Sequence, residues 1–264
     1  YMASLASLLD EGIEWLAPGH GFLIAQPHSI VKALIAHRRK RFAMYRQVQK
    51  ELAAIDRARL NDEDALTYDL LAREVSTRLG FEPFNDHLLP LQQLDAIPVL
   101  LANFGSGQAE QPLKTPAQYD AYLKRIAALP QWTDQALANM REGMHRGIVT
   151  PRAVTTAALK QVKTLASPDL AANPFYAPIR NLPAAFSDDD KRRLTRAYAD
   201  TVGQRVAPAM ARLASFVERD YLPASRDSAG WGALPDGAAW YRQWMRDQTT
   251  TDLSPDEIHE MGLK

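Results

Sequence analysis

Apolar residues recur three and four positions apart along most of this chain, and that spacing predicts helices. From Ser29 to about Asp56 the pattern runs without a break signal, through Ile30, Leu34, Ile35, Phe42, Tyr45 and Val48. A second helix is predicted from Asn61 to Leu79, carrying Ala65, Leu66, Tyr68, Leu70, Leu71 and Val75 and ending at Gly80. Thr115-Pro116 opens a third, with Tyr119, Tyr122, Leu123 and Ile126. Gln131 to Arg146 follows, closed by Gly147, and Thr150-Pro151 repeats the start signal. Ser187 precedes Asp188, Asp189 and Asp190 at the start of a helix reaching about Tyr221, with Pro208 expected to kink it. Ala238 to Asp247 reads as another short helix. Ser254, Pro255 and Glu257 form a capping-box start for one more.

Two stretches break the pattern. Ser167 to Phe186 contains four prolines and reads as an ordered irregular connector. In the first forty residues, Ala3 to Asp10 resembles a short amphipathic helix, Ile13 to Ala17 a strand, and Pro18-Gly19-His20-Gly21 a turn. The expected fold class is mainly α, a multi-helix array of roughly eight to ten helices, with a short α/β remnant at the N-terminus. No Gly, Asn or Pro closes the last helix after Leu263, so the natural chain is expected to continue.

Charge narrows the function classes. Lys plus Arg and Asp plus Glu number 31 each, so no electrostatic case arises for nucleic acid or an anionic membrane. No apolar run approaches a membrane span. Asp10, Glu11 and Glu14 interrupt the apolar residues that a signal peptide would need. With no cysteine among the 264 residues, disulfides, thiolate zinc sites and cysteine nucleophiles are excluded, while the compartment stays open.

Candidate chemistry is sparse. His259-Glu260 is the sole His-Glu pair, and Leu263 stands where a second helical zinc ligand would sit. His87 and His145 are isolated from acids at ligand spacing, which favours structural roles. Gly105-Ser106-Gly107 lacks the context of a nucleophile elbow or a phosphate loop and reads as a flexible loop. Asp62-Glu63-Asp64 and Asp188-Asp189-Asp190 could supply paired carboxylates, but both lie at predicted helix N-termini, where the dipole accounts for them. Arg38-Arg39-Lys40-Arg41 reads as a solvated helix face. The strongest functional segment runs from Arg226 to Tyr241, around Gly230, Gly232 and Gly237. Arg226, Trp231, Trp240 and Tyr241 could line a peptide-binding cleft, the arginine pairing a substrate carboxylate. Alternatively, Trp231, Trp240 and Trp244 are core anchors and the glycines make turns.

Two resemblances organise these observations. NDEDALTYDLL at 61–71, LQQLDAIPVLL at 91–101, TPAQYDAYL at 115–123 and GMHRGIVTP at 143–151 occur in order. Tyr221–Pro223 with Arg226, LPDGAAWY at 234–241 and the run from Leu253 through SPDEIHEMGL follow. Residues from about 42 to 264 thereby resemble the N-terminal half of a bacterial family known as domain of unknown function 885. Its members look like zinc-dependent peptidases, in which a zinc-bound water attacks the peptide carbonyl while a glutamate takes its proton. Their metal motif, a His-Glu pair and then Pro-Gly-His-His, belongs to the C-terminal half and is not in this sequence. The resemblance implies zinc in the complete family member, none held by this chain, a peptide substrate, and a C-terminal half or partner chain to supply the metal site. It also implies that the chain alone is inactive and, since members are often exported, an exported relative. The alternative is a non-catalytic helical scaffold or interaction domain.

IEWLAPGHG at 13–21 with His37-Arg38 resembles the C-terminal part of a metallo-β-lactamase-fold hydrolase. That resemblance makes His20 a stranded metal ligand, since a catalytic zinc needs about three protein ligands. The expected organisation is a fragment at 1–40 joined near Arg39 to Arg41 to a helical body at 41–264.

Overall fold

Four of the caps written in the sequence, at Asn61, Thr115, Ser187 and Ser254, are caps of the fold. The computed structural model describes residues 30–94, 96–106 and 113–263, and side chains from Arg38 onward apart from Arg39. The expected N-terminal helix, strand and turn, and His20 with them, lie outside the described residues. Helix α1 spans Ile30–Ala53, α2 Asp62–Gly80, α3 Ile97–Phe104, α4 Pro116–Ile126, α5 Leu129–His145 and α6 Arg152–Leu165. Then come α7, Asp188–Thr201, α8, Ala207–Phe216, α9, Gly237–Thr249, and α10, Pro255–Gly262. Among the described residues there is no strand, only an isolated parallel bridge between Pro151 and Arg226.

Asn61, Thr115, Ser187 and Ser254 each accept the backbone N–H three residues on, and Thr115 and Ser254 complete capping boxes with Gln118 and Glu257. The acidic runs at 62–64 and 188–190 occupy the first turns of α2 and α7, where the helix dipole favours them. Gly147 closes α5 at φ 67°, with the N–H of Ile148 donating back to Gly143 at 2.8 Å, a left-handed stop that glycine adopts without strain. Helix α3 was not among the predicted elements. Its segment is apolar nearly throughout and has no periodicity to read.

The long helix after Ser187 continues past Pro208 by changing its winding. A π turn, Val202–Val206, precedes α8, and a second, Val217–Tyr221, precedes the short turn Leu222–Ala224. Each lies two residues before a proline, Pro208 and Pro223. A proline ring clashes with the carbonyl four residues back, and a wider turn relieves that clash.

The chain divides into two units. One gathers Leu94–Gln135 and Leu159–Ser215. Its core holds Tyr119, Tyr122, Ile126, Leu194, Tyr198, Val202 and Met210, all buried. The Tyr198 hydroxyl donates to the Tyr119 carbonyl at 2.8 Å and that of Tyr122 to the Leu101 carbonyl at 2.9 Å. Burial pushes both phenols far above their usual range. A Cβ at Gly105 would collide with Tyr122, so this glycine of the Gly-Ser-Gly run is a packing position at the end of α3. Gly107 lies outside the described residues. The proline-rich connector is ordered around Asn173, which is buried and donates to the Leu165 and Ser167 carbonyls at 3.1 and 2.8 Å. Asn173 also accepts from the Phe175 N–H at 3.0 Å.

The other unit gathers Lys32–Gln93, Ala136–Ala158 and Phe216–Lys264. Leu88, Ile148, Leu234 and Trp240 form its core cluster, with Phe81, Phe84, Leu89, Trp231 and Trp244 packed against it. The basic run at 38–41 is not simply solvated. Arg38 donates to the carbonyls of Glu82 and Phe84 at 2.7 and 2.6 Å and lies 3.6 Å from Asp86. Arg38 and Arg41 stand over the Phe42 ring at 4.8 and 5.1 Å. Lys40 is exposed. Cation–π contact and the need of turn carbonyls for donors draw the two arginines inward.

Candidate functional site

The segment from Arg226 to Tyr241 is anchored by a buried hydroxyl network. Thr150 Oγ1 meets Thr155 Oγ1 at 2.7 Å, and Thr155 Oγ1 meets Ser225 Oγ at 2.8 Å. Ser225 donates to the Tyr221 carbonyl at 3.0 Å, and the Thr150 N–H donates to the Tyr221 hydroxyl at 3.0 Å. Thr150 therefore does not cap α6 as the Thr-Pro signal suggested. It ties the start of that helix to the end of the long one. Backbone bonds from Arg152 N–H to Arg226 O at 2.8 Å and from Arg226 N–H to Thr150 O at 3.3 Å complete the join.

Arg226 leaves this join with Nε and Nη1 of its guanidinium occupied. Nε donates to the Val149 carbonyl at 3.1 Å, and Nη1 to the carbonyls of Ser228 and Gly230 at 2.6 Å each. Burial lowers its pKa. Three backbone acceptors shape the loop that follows, so Arg226 acts as a positioning residue. The loop delivers Trp231 at the start of a 3-10 turn, Trp231–Ala233. A Cβ on Gly237 would collide with the Trp231 carbonyl, so α9 starts close against that turn because position 237 is glycine.

The aromatic residues divide by exposure. Trp240 is 1% exposed and stacks on Phe84 with ring centres 5.4 Å apart. Trp231 is half-buried and contacts Trp240 at 4.8 Å and Trp244 at 6.2 Å. Phe81 meets Trp244 edge-on at 4.8 Å. Tyr241, one position on, is 44% exposed. The structure thus brings Trp231 and Trp240 together, sets Tyr241 on the exposed side of α9, and uses Arg226 to hold the loop. Phe81 and Phe84 were not selected from the sequence. The turn Gly80-Phe81-Glu82-Pro83-Phe84 after α2 was the available signal, but only tertiary contact pairs it with residues some 160 positions later.

The histidines with described side chains are His87, His145 and His259. His145 and His259 are exposed. His87 is half-buried, its Nδ1 without a hydrogen bond and 4.0 Å from Asp86. Burial lowers its pKa, and Arg38 lowers it further. Among the described residues no three His, Cys, Asp or Glu side chains are grouped to hold a metal ion.

These features sit in a recognised sequence family. Residues 30–264 match the family described as bacterial protein of unknown function (DUF885), and the chain belongs to it. The match takes in residues 30–40, upstream of the join expected near Arg39 to Arg41. No curated protein matches the chain. The fold is similar to a crystal structure described as "the putative lipoprotein from Colwellia psychrerythraea", with a TM-score of 0.70 and 19% identity. The similarity covers 86% of this chain but 40% of that one. No helix among the described residues is long and apolar enough to cross a membrane.

Proposed function

We propose that this chain supplies the helical, substrate-facing part of a zinc-dependent, peptidase-like hydrolase, with the metal-binding residues lying outside these 264 residues. The observation that carries the reading is the length relation. The helical body matches over 86% of its residues a chain of which it covers only 40%, so it corresponds to one part of a larger fold. The peptidase chemistry itself comes from the sequence resemblance. Of the candidate residues, Trp231 and Tyr241 retain surface for a peptide, while Trp240 lies beneath and Arg226 shapes the loop. The lipoprotein description of the structural neighbour supports an exported location.

The purified chain is expected to retain no stoichiometric zinc after dialysis against trace metal and to leave fluorogenic peptides intact. Elemental analysis and a peptidase assay with and without chelator test this. About one zinc per chain with chelator-sensitive hydrolysis would overturn it, because that requires a site of about three ligands within the chain.

A second reading, a non-catalytic helical interaction domain, is favoured by the apolar side chains left on helix surfaces. Leu66 and Leu70 of α2 are 60% and 59% exposed, and Met261 and Leu263 at α10 are 64% and 67% exposed. Leu66 and Leu70 stand four positions apart, on one face of α2, where a partner could cover them. Retrieval of one discrete partner, with no peptidase activity in any longer form, would favour this reading over the first.

A further inference from the structure

Between α2 and the C-terminal end of α9 lies a cavity of about 140 Å³ whose lining includes Arg73, Ser76, Arg246, Thr250, Thr251 and Asp252. Packing fixes its walls. Gln243 of α9 donates to the Thr77 carbonyl of α2 at 2.8 Å, and a Cβ on Gly80 would collide with the Gln243 side chain. The lining sets two guanidiniums against one carboxylate. The acids next in sequence to these arginines, Glu74 and Asp247, are engaged by Arg78 at 2.7 and 3.6 Å. Arg73 donates to the carbonyls of Thr250 and Arg246, at 2.9 and 3.5 Å, and so offsets the negative end of the α9 dipole. Arg246 meets Asp252 through Nε at 3.0 Å, but among the described residues its Nη1 and Nη2 have no acceptor. The Ser76 and Thr250 hydroxyls likewise make no hydrogen bond there. Thr250 is held at the cavity in the left-handed region, at φ 60°, and strained positions of this kind gather at ligand sites.

We infer that this cavity binds a phosphate group. The Nη1–Nη2 fork of Arg246 takes two of its oxygens as a bidentate pair, and the Ser76 and Thr250 hydroxyls donate to the others. The fork alone would satisfy a carboxylate, so the added hydroxyls select the tetrahedral anion. Asp252 holds Arg246 by Nε and leaves the fork open. The inference does not depend on the hydrolase reading.

Calorimetric titration of the full chain with inorganic phosphate and with phenyl phosphate, at constant ionic strength, tests this. Saturable binding at one site per chain is expected. Arg246→Gln removes the charge and the fork and should weaken binding about tenfold or more, the equivalent of a lost charge-assisted hydrogen bond. Arg246→Lys keeps the charge and should recover only part of that loss. Ser76→Ala should weaken binding about threefold with the melting temperature unchanged. Thr250→Gly should weaken binding while raising the melting temperature, which separates the site from the fold. Should Arg246→Gln fail to fold, the Ser76 and Thr250 variants carry the test. Tighter binding of phenyl phosphate would assign the site to a phosphate carried on a larger ligand, and tighter binding of the free ion to phosphate itself. Either supports the inference. No saturable binding of either compound overturns it. So does displacement by acetate at equal concentration, or an affinity that all of these substitutions leave unchanged.

Discussion

Thr250 ends α9 in the left-handed region, at φ 60° and ψ 18°, where a β-branched residue is an outlier. Its N–H donates to the Arg246 carbonyl and its own carbonyl accepts from Arg73 at 2.9 Å. Both bonds are main-chain at Thr250 and survive a change of side chain. Thr250→Gly should therefore stabilise the protein by about 1 kcal/mol, the relieved strain exceeding the added freedom of the unfolded chain. Thermal unfolding should report a rise of about 2–4 °C, and a fall would show that the threonine side chain contributes packing. His87 makes a pH-dependent contribution. Burial, then the charge of Arg38, sets its pKa below the usual 6.5. The unfolded chain therefore binds a proton near pH 6.5 that the folded chain refuses until lower pH. Stability is full above that range and declines as pH falls through it toward the folded pKa. Denaturant titrations between about pH 7 and 5 should show a smaller loss for His87→Gln than for the parent. Equal slopes would mean that other groups carry the dependence.

At the scale of elements, α10 separates local stability from global. It has a complete capping box, with the Glu257 carboxylate held below its usual range first by the Ser254 N–H, yet it buries no residue. Helices this short are marginal without packing. Ser254→Ala should raise amide exchange across Pro255–Gly262 about fivefold, the equivalent of about 1 kcal/mol for a lost cap. The global melting temperature should not move, because the helix contributes little to either core. A global drop would show that α10 is packed more firmly than its exposure indicates. The π turns before Pro208 and Pro223 make a complementary point. The sequence marks where an ordinary helix cannot continue, but the response, a wider turn instead of a break, depends on what surrounds it. Val202, Val206, Val217 and Tyr221 are all buried in these turns, and that burial holds the helix together through both prolines.

At the scale of the molecule, the mainly α fold and most helix boundaries were readable along the chain. Asn61, Thr115, Ser187 and Ser254 act on N–H groups three residues away, so local chemistry suffices to place them. Family membership was readable for a similar reason, as ordered motifs survive without any knowledge of contacts. Other features belong to tertiary structure. Arg38 reads as surface charge until the Glu82 and Phe84 carbonyls are brought to it. Arg226 reads as a carboxylate clamp, and three carbonyls take its Nε and Nη1. Leu66 and Leu70 are apolar positions of α2 that the fold leaves exposed, while Val75 and Thr77 are buried. Trp240 acquires Phe84 from a segment some 160 residues earlier. The sequence by itself determined most of the helices and their caps, because those depend on neighbours within about four residues, and the family, because its ordered motifs are read without contacts. Only the tertiary structure decided which polar and aromatic groups are consumed by packing and which stay exposed. Hydrogen bonds and burial are competitions among groups distant in sequence, and the winner is set by which side chains reach each acceptor or core first.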